Sequence, residues 1–267
     1  MPNRAELHIL TEYTPFSMGF VIITKNNRAI VIDGGTGGEL HNVIAHVGDR
    51  PIAAWILTHP HGDHLGALLY GMQREKPILK QVNRFICNFH TPAFLRACGG
   101  DEAANVEYFD QYVESHQIPV DRPVCGDRWE IDGLQFECLF SKSEKYTENY
   151  VNDSSMVFRV TGENRNVLFL GDLGPAAGEE LLATQGNNLR SDIVQMAHHG
   201  HMCVRKNVYE AINPGVCIWC CASWLYNERD VEFSKDMYGV GTTRRWMREI
   251  GNQTHIVTKD GDQILEI

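Results

Sequence analysis

The decisive stretch is residues 53–64, AAWILTHPHGDH, where a continuous apolar run ends abruptly in a polar loop. The apolar half predicts a buried β-strand. The polar half places three imidazoles and one carboxylate within the six residues 59–64, and these are ligands that suit Zn²⁺ and similar cations. Because a strand anchors the loop, we expect His59 and His61 to face one point, while Asp63 and His64 can serve a second ion. A solvated histidine-rich turn is the alternative.

The chain on either side of this stretch alternates strands and helices. Leu65, Leu68, Leu69 and Met72 predict a helix that starts directly after the loop. Upstream, residues 20–24 and 29–32 predict a β-hairpin, and residues 40–47 predict a helix that ends at Gly48. The hairpin's second strand runs into Asp33-Gly34-Gly35, so a carboxylate again follows a strand.

The second half repeats this pattern of ligand-type residues at strand ends. The run 167–170 ends in Gly171-Asp172, and the run 193–197 ends in His198-His199-Gly200. Such sites are assembled from loops at one edge of a sandwich, where several strand ends converge. The further predicted elements are a helix over 101–117, strands over 134–140, 156–160 and 216–220, a helix over 242–250, and a terminal hairpin of 255–258 with 263–267.

No linker separates the two halves, which predicts a single domain over residues 1–267. Two related β-rich halves need helices over both outer faces, and the natural arrangement of layers is an αββα sandwich of class α/β. The segment 74–125 is the hardest to interpret, and either a substrate cap or part of the outer helical layer fits its pattern.

Composition narrows the class of protein and its partners. The 267 residues carry 24 Lys plus Arg against 34 Asp plus Glu, a formal charge of −10, which argues against a protein that grips long duplex DNA over a basic face. Bound cations would still allow phosphate substrates. No apolar run approaches the roughly 20 residues of a membrane span, and the N-terminal residues lack a secretory signal. We therefore expect a cytoplasmic protein whose eight cysteines are reduced.

The combination of HPHGDH at 59–64, Ile32-Asp33-Gly34-Gly35, Gly171-Asp172 and His198-His199-Gly200 resembles the metallo-β-lactamase superfamily. The resemblance implies two mixed β-sheets flanked by helices. It also implies a ligand set in which His59 and His61 hold a first metal, Asp63, His64 and His199 hold a second, and Asp172 bridges both. Asp33 would orient the loop from behind.

One departure concerns the first metal. Most members of the superfamily carry a third histidine before the strand that leads to Gly-Asp, whereas this chain reads NYVNDSSMVF over 149–158. That pattern resembles the soluble metallo-β-lactamase-like domain of bacterial DNA-uptake (competence) channel proteins. Asn152 or Asp153 could supply an oxygen ligand, and we count Asp153 among the candidates; a turn-capping role is the alternative. An oxygen ligand would shift the preference from Zn²⁺ toward Mn²⁺.

The function implied is that of a hydrolase with two divalent ions that activate water. Its catalytic residues would be Asp63, Asp172 and His198, and its substrate a phosphodiester, either a small nucleotide-like molecule or a short single-stranded nucleic acid. Two alternatives stay open: a hydrolase of a carbonyl ester, lactone, thioester or β-lactam, and a metal-bound binding or regulatory module without catalysis. A homodimer is a further possibility.

Overall fold

A computed structural model of the chain describes residues 4–14, 16–230, 232–234, 237–251 and 253–267. Its strands in chain order are β1 Glu6–Ile9, β2 Gly19–Ile23, β3 Ala29–Asp33, β4 Ile52–Ile56, β5 Phe85–Ile86, β6 Val120–Asp121, β7 Arg128–Ile131, β8 Leu134–Phe140, β9 Val157–Thr161, β10 Asn166–Phe169, β11 Ile193–Gln195, β12 Val216–Trp219, β13 Glu232–Ser234, β14 Met237–Tyr238, β15 Thr254–Val257 and β16 Gln263–Glu266. The helices are α1 Leu40–Val47, α2 Gly62–Gln73, α3 Pro92–Ala97, α4 Glu102–Ser115, α5 Pro175–Gln185, α6 Lys206–Ile212, α7 Ser223–Tyr226 and α8 Val240–Ile250.

Within these residues the strands form two mixed sheets of seven strands each and one short ribbon, β13–β14. The first sheet has the order β16-β1-β2-β3-β4-β5-β6, and the second has the order β15-β12-β11-β10-β9-β8-β7. Apolar side chains from both sheets meet in one inner core, where the rings of Phe20 and Phe169 lie 5.1 Å apart. Helices α1, α2 and α4 cover the outer face of the first sheet, and α5, α6 and α8 cover the second. The predicted αββα sandwich is confirmed.

The local predictions in the first half hold. Strands β2 and β3 pair as the expected hairpin, and α1 ends at Gly48, whose φ of 60° favours glycine. Helix α2 begins earlier than predicted, at Gly62, so Asp63 and His64 lie in its first turn. Their side chains are therefore held by a helix as well as by the preceding strand.

The predicted C-terminal hairpin is wrong. Strand β15 pairs in parallel with β12 in the second sheet, while β16 pairs antiparallel with β1 in the first. The turn around residues 258–260 therefore carries the chain from one sheet to the other. A turn signal between two β-rich runs indicates a change of direction, and the inner core decides which sheet each run joins.

The segment 74–125 contributes to the outer layer through α4. Its apolar residues Val106, Phe109 and Val113 are buried against the first sheet, which confirms the amphipathic helix predicted there. The first turn of α4, at Glu102, reaches the edge of the sandwich where the histidine loop lies, because Glu102 contacts His61. None of the helices in the described part of the chain combines the length and apolar character needed to cross a membrane. All eight cysteines are free.

Candidate metal centre

The predicted ligands other than Asp153 meet at one edge of the sandwich in two groups. Strands β3 and β4 run parallel in the first sheet, and β10, β11 and β12 run parallel in the second. The loops at their carboxyl ends therefore converge. The first ligand group contains His59, His61 and Asp172. The second contains Asp63, His64, Asp172 and His199. Within each group the potential ligand atoms lie within 4.8 Å of one another. Asp172 belongs to both.

The first group is built on the short loop after β4. His59 Nε2 lies 3.0 Å from His61 Nδ1 and 3.7 Å from Asp172 Oδ2. His59 is buried, whereas the side chain of His61 is 28% exposed. Two imidazole nitrogens that face each other beside a carboxylate are the donors that a divalent cation takes.

The second group joins the two halves of the chain. His64 Nε2 lies 3.2 Å from Asp172 Oδ1, and His199 Nε2 lies 3.5 Å from Asp172 Oδ2 and 3.3 Å from Asp63 Oδ2. His64, Asp172 and His199 are all buried. Because His64 comes from the first half and His199 from the second, the site forms only when both sheets are in place.

A buried network behind the loop orients two of the histidines. Asp33 accepts hydrogen bonds from the backbone N–H of Thr58 at 2.8 Å and from its hydroxyl at 2.9 Å. It also accepts the Nδ1–H of His64 at 2.8 Å, while Nδ1 of His59 lies 3.1 Å from the Thr58 hydroxyl. These contacts leave Nε2 of both rings for an ion, as in many metal sites where a carboxylate sets the tautomer of a histidine. Asp33 thus takes the orienting position that the resemblance implied.

The loop that carries Asp172 is fixed by side chains from neighbouring strands. Gln195 accepts from the backbone N–H groups of Leu170 and Gly171 at 2.8 and 2.9 Å, and it donates to the carbonyl of Gly171 at 3.1 Å. The backbone N–H of Asp172 donates to the hydroxyl of Ser155 at 3.0 Å. Asp172 is therefore held by its backbone while its carboxylate faces the histidines.

The segment His198-His199-Gly200 adopts left-handed backbone throughout, with φ of 47°, 55° and 93°. Such conformations are costly for residues other than glycine and occur mainly where surrounding structure enforces them, often at functional sites. Here His199 donates Nδ1–H to the carbonyl of Cys220 at 2.7 Å, which directs Nε2 into the second group. The neighbouring His198 lies at the border of the site, with Nε2 3.9 Å from Asp172 Oδ2.

The electrostatics show how closely these groups are coupled. Burial opposes charge on His64, yet the carboxylates of Asp172 and Asp33 outweigh it and hold the pKa of His64 well above its usual range. Burial raises the pKa of Asp172, but His64 and His199 reverse this effect and hold it well below its usual range. Burial lowers the pKa of His59. A cation that binds here displaces the protons of His64 and His199, so metal affinity increases with pH.

The residues fit a pair of divalent ions on their own chemistry. Three of the facing atoms, His64 Nε2, Asp172 Oδ1 and His199 Nε2, are buried and make no hydrogen bond of good geometry, although each lies within 3.3 Å of a group of opposite charge. Unsatisfied buried polar atoms are rare because each carries a desolvation penalty. Their convergence on a set of nitrogen and oxygen donors is explained by a role as metal ligands.

The residues at the position of the missing histidine have different environments. Asp153 accepts hydrogen bonds from the backbone of Gly174, at 3.1 Å, and of Ala177 at the start of α5, and it belongs to neither ligand group. Burial raises its pKa to about 6. Asn152 is also buried, and its Oδ1 has no hydrogen-bond partner. Asp153 therefore holds the start of α5 and does not cap the turn before β9, as the turn-capping alternative had it, while the oxygen of Asn152 has no hydrogen-bond partner.

A cleft of about 710 Å³ opens beside His198. Asn149, Asn152 and Asp153 line it, together with Lys145 and Arg205. Each of the two cations lies beside a carboxylate of α5, Lys145 by Glu180 and Arg205 by Glu179. The cleft thus offers hydrogen-bond donors and charges of both signs, since Glu148 and Asp153 also line it.

Some residues of the site were not anticipated. Gln195 lies inside an apolar strand and Ser155 in a polar run, and neither residue type alone signals a structural role. Glu102, whose carboxylate lies 3.5 Å from His61 Nε2, comes from the segment whose pattern was least informative. Only its place in the first turn of a predicted acidic helix marked it.

Residues 17–80, which include the histidine loop, match the family model described as the metallo-beta-lactamase superfamily. The Competence protein ComA of Neisseria gonorrhoeae is 26% identical over 199 residues, which cover 73% of this chain and 24% of ComA. The chain therefore spans about a quarter of the length of that relative.

Solved structures share the fold over nearly the whole chain. The metallo-beta-lactamase fold protein YhfI from Bacillus subtilis superposes with a TM-score of 0.58 at 11% identity, covering 99% of this chain and 100% of YhfI. Igni18, described as a metallo hydrolase from Ignicoccus hospitalis, has a TM-score of 0.57 at 12% identity, covering 98% and 99% of the two chains. At such identities the likeness concerns the fold.

Proposed function

We propose that the chain, whose residues 17–80 match the metallo-β-lactamase superfamily model, is a metal-dependent hydrolase of phosphodiesters that works with two divalent ions. The observation that carries this proposal is the presence of two ligand groups that share Asp172. When bound, a pair of such ions lowers the pKa of a water molecule and neutralises charge on the attacked group.

The residues of the chain have distinct parts in this reaction. His59 and His61 would hold one ion, Asp63, His64 and His199 the other, and Asp172 would bind both and keep them at a fixed separation. Asp33 holds the loop rigid through Thr58 and His64. His198 borders both Asp172 and the cleft, so it is placed to contact a substrate oxygen and to exchange a proton with the leaving group.

Two features support a phosphodiester substrate, and a third concerns its size. The sequence pattern resembles the metallo-β-lactamase-like domain of DNA-uptake proteins, and the matched relative from Neisseria gonorrhoeae is named a competence protein. The cleft beside His198 contains Lys145 and Arg205, which can contact phosphate oxygens. The acidic chain favours a small nucleotide-like molecule or a short single strand over long duplex DNA.

The metal preference and the setting of the protein are part of the same proposal. Two imidazoles on one ion favour Zn²⁺, and an oxygen ligand from Asn152 would make Mn²⁺ an effective substitute. A cytoplasmic protein that acts as a monomer or homodimer completes the proposal.

The test combines metal analysis with hydrolysis assays on the purified protein. Bis-p-nitrophenyl phosphate and a panel of lactones, thioesters and nitrocefin would be assayed with added Zn²⁺ or Mn²⁺. Two ions per chain with turnover of the phosphodiester support the proposal. Turnover of the carbonyl substrates alone would assign the other hydrolase class, and two bound ions without any turnover would indicate a binding module.

A further inference from the structure

A carboxylate from a different layer of the fold faces the first ligand group. Helix α4 belongs to the outer layer, yet its first residue, Glu102, lies next to the exposed side of His61. Neither ligand group includes Glu102. Its contact with the site is made through His61.

The two nitrogens of His61 face opposite partners. Nδ1 lies 3.0 Å from His59 Nε2 and is directed into the first ligand group. Nε2, on the far side of the ring, lies 3.5 Å from Glu102 Oε1. One nitrogen of the ring is thus directed toward the ion and the other toward a carboxylate.

The carboxylate of Glu102 has few other interactions. Its Oε2 is buried without a hydrogen-bond partner, and the side chain is only 21% exposed. A partly buried carboxylate carries a desolvation cost that a cationic or hydrogen-bonding neighbour must offset. The N-terminus of α4, in whose first turn Glu102 lies, and the nearby Tyr150 hydroxyl supply part of this. His61 is the neighbour that belongs to a ligand group.

We propose that Glu102 is a positioning residue for the first metal, which accepts the Nε2–H of His61 and so keeps Nδ1 as the ligand nitrogen. The carboxylate also makes the imidazole a stronger donor. Thr58 and Asp33 orient His59 and His64 by contacts to their Nδ1 atoms. Glu102 of α4 would orient His61 by a contact to its Nε2. The contact compensates in part for the histidine that this chain lacks at the first metal.

The inference rests on the proposed metal centre and has a structural consequence. The first turn of α4 would be fixed by the metal through His61, so the segment that carries α3 and α4 becomes part of the active-site wall. Its inner face packs on the first sheet through Val106 and Phe109, and Glu102 provides its connection to the site.

The test measures metal affinity rather than turnover. Zn²⁺ alone would be titrated against a chromophoric chelator into wild type, Glu102→Ala, Glu102→Gln and the matched control Glu107→Gln, which removes a carboxylate from the exposed face of the same helix. His61→Ala and Asp63→Ala assign the two binding steps to the two sites. We expect Glu102→Ala to lower the Zn²⁺ affinity of the first site, the one that His61→Ala removes, about 10-fold or more. Glu102→Gln should lower it less, and neither variant should change the affinity of the second site.

A second readout follows the ring directly. Nitrogen-15 NMR of the Zn²⁺-loaded protein should show His61 with a protonated Nε2 in wild type and exchange-broadened ring signals in Glu102→Ala. The proposal is overturned if both Glu102 variants keep the wild-type Zn²⁺ affinity at the site of His61. It is also overturned if the wild-type protein binds no ion through His61. Circular dichroism identifies a variant that is simply misfolded, and the near-isosteric Glu102→Gln then decides.

The outcome is independent of the substrate. If the wild-type protein binds two ions and hydrolyses no phosphodiester, the proposed function fails, whereas the affinity series still decides the role of Glu102.

Discussion

His64 Nδ1 lies 2.8 Å from Asp33 Oδ2, and both side chains are closed to solvent. The carboxylate sets the tautomer of the imidazole and leaves Nε2 for the second ligand group. We predict that Asp33→Asn weakens the second metal about 10- to 100-fold, because the amide can present a donor to Nδ1 and favour the wrong tautomer. Calorimetric titration with Zn²⁺ measures the loss.

The control for this variant is Asp132→Asn. Asp132, like Asp33, accepts a hydrogen bond from a threonine hydroxyl, that of Thr24, and its second partner is Arg28. Equal metal affinity of both variants and wild type would contradict the orienting role of Asp33.

Removal of Asp172, the ligand shared by both groups, should reduce metal content and activity more than removal of a single histidine. Asp172→Ala leaves the first group without a carboxylate and the second with Asp63 alone, and we predict fewer than two bound ions and a fall in kcat/KM of at least about 100-fold on any phosphodiester that the wild type hydrolyses. His61→Ala should lose one ion. Elemental analysis and initial rates measure both effects. Full metal content in Asp172→Ala, with correct folding by circular dichroism, argues against the shared site.

The neighbouring residues Asn152 and Asp153 should separate metal binding from stability. Asn152→Ala removes a buried oxygen that has no hydrogen-bond partner, and we predict about a tenfold loss of affinity for the first metal. Asp153→Ala removes the acceptor at the start of α5 and should cost about 1 kcal/mol of unfolding free energy, as the loss of a helix cap does. The reverse pattern would assign Asp153 as the ligand.

Gln195 should be a stability residue of the metal loop. Its side chain makes hydrogen bonds to the backbone of Leu170, Gly171 and Met196. Gln195→Ala leaves these buried groups without partners, and we predict a loss of roughly 2–4 kcal/mol in urea unfolding. The control, Gln135→Ala, removes an exposed glutamine that bonds Glu130. A loss as small as that of the control would show that the loop is held by other contacts.

His90 predicts a specific pH dependence. Burial, aided by the charge of Lys142, lowers its pKa from 6.5 to about 4, and its Nε2 lies 2.7 Å from the Ser154 hydroxyl. Between these values the unfolded chain binds the proton and the folded chain does not, so stability rises with pH from about 4 to 6.5 and is lost on acidification. We predict that His90→Gln removes roughly 1–2 kcal/mol of this dependence, as measured by denaturation at pH 4.5 and 7.

The comparison variant for this measurement is His116→Gln. The His116 ring is exposed at the end of α4. Parallel stability curves for wild type and His90→Gln between these two pH values would exclude His90 as the source of the effect.

The position of the site could be predicted from the sequence because it depends on local rules. Apolar runs that end in ligand-type residues predict strands whose ends carry donors, and parallel strands bring those ends together. Asp172 and His199 therefore lie beside the histidine loop although more than a hundred residues separate them in the chain. The residue types and their place at strand ends carried this information.

The remaining features depend on contacts between distant segments. The partner of Asp153 is the N–H of Gly174, 21 residues away, and no spacing rule distinguishes that acceptor from a metal ligand. The same holds for Glu102, whose helix is placed by packing on the first sheet, and for β15 and β16, which join different sheets. In each case the tertiary structure decides between options that are equal locally.

The pairing of β1 with β16, in register from Glu6 opposite Glu266, brings the two ends of the described fold side by side. A unit whose entry and exit points adjoin can be spliced into a longer polypeptide as an insert, with no rearrangement of its interior. Fusion of partner sequences at both ends should therefore leave metal uptake intact, whereas a cut that removes β16 exposes the edge of β1. The adjacent ends of β1 and β16 thus make the fold suited to insertion into a longer polypeptide.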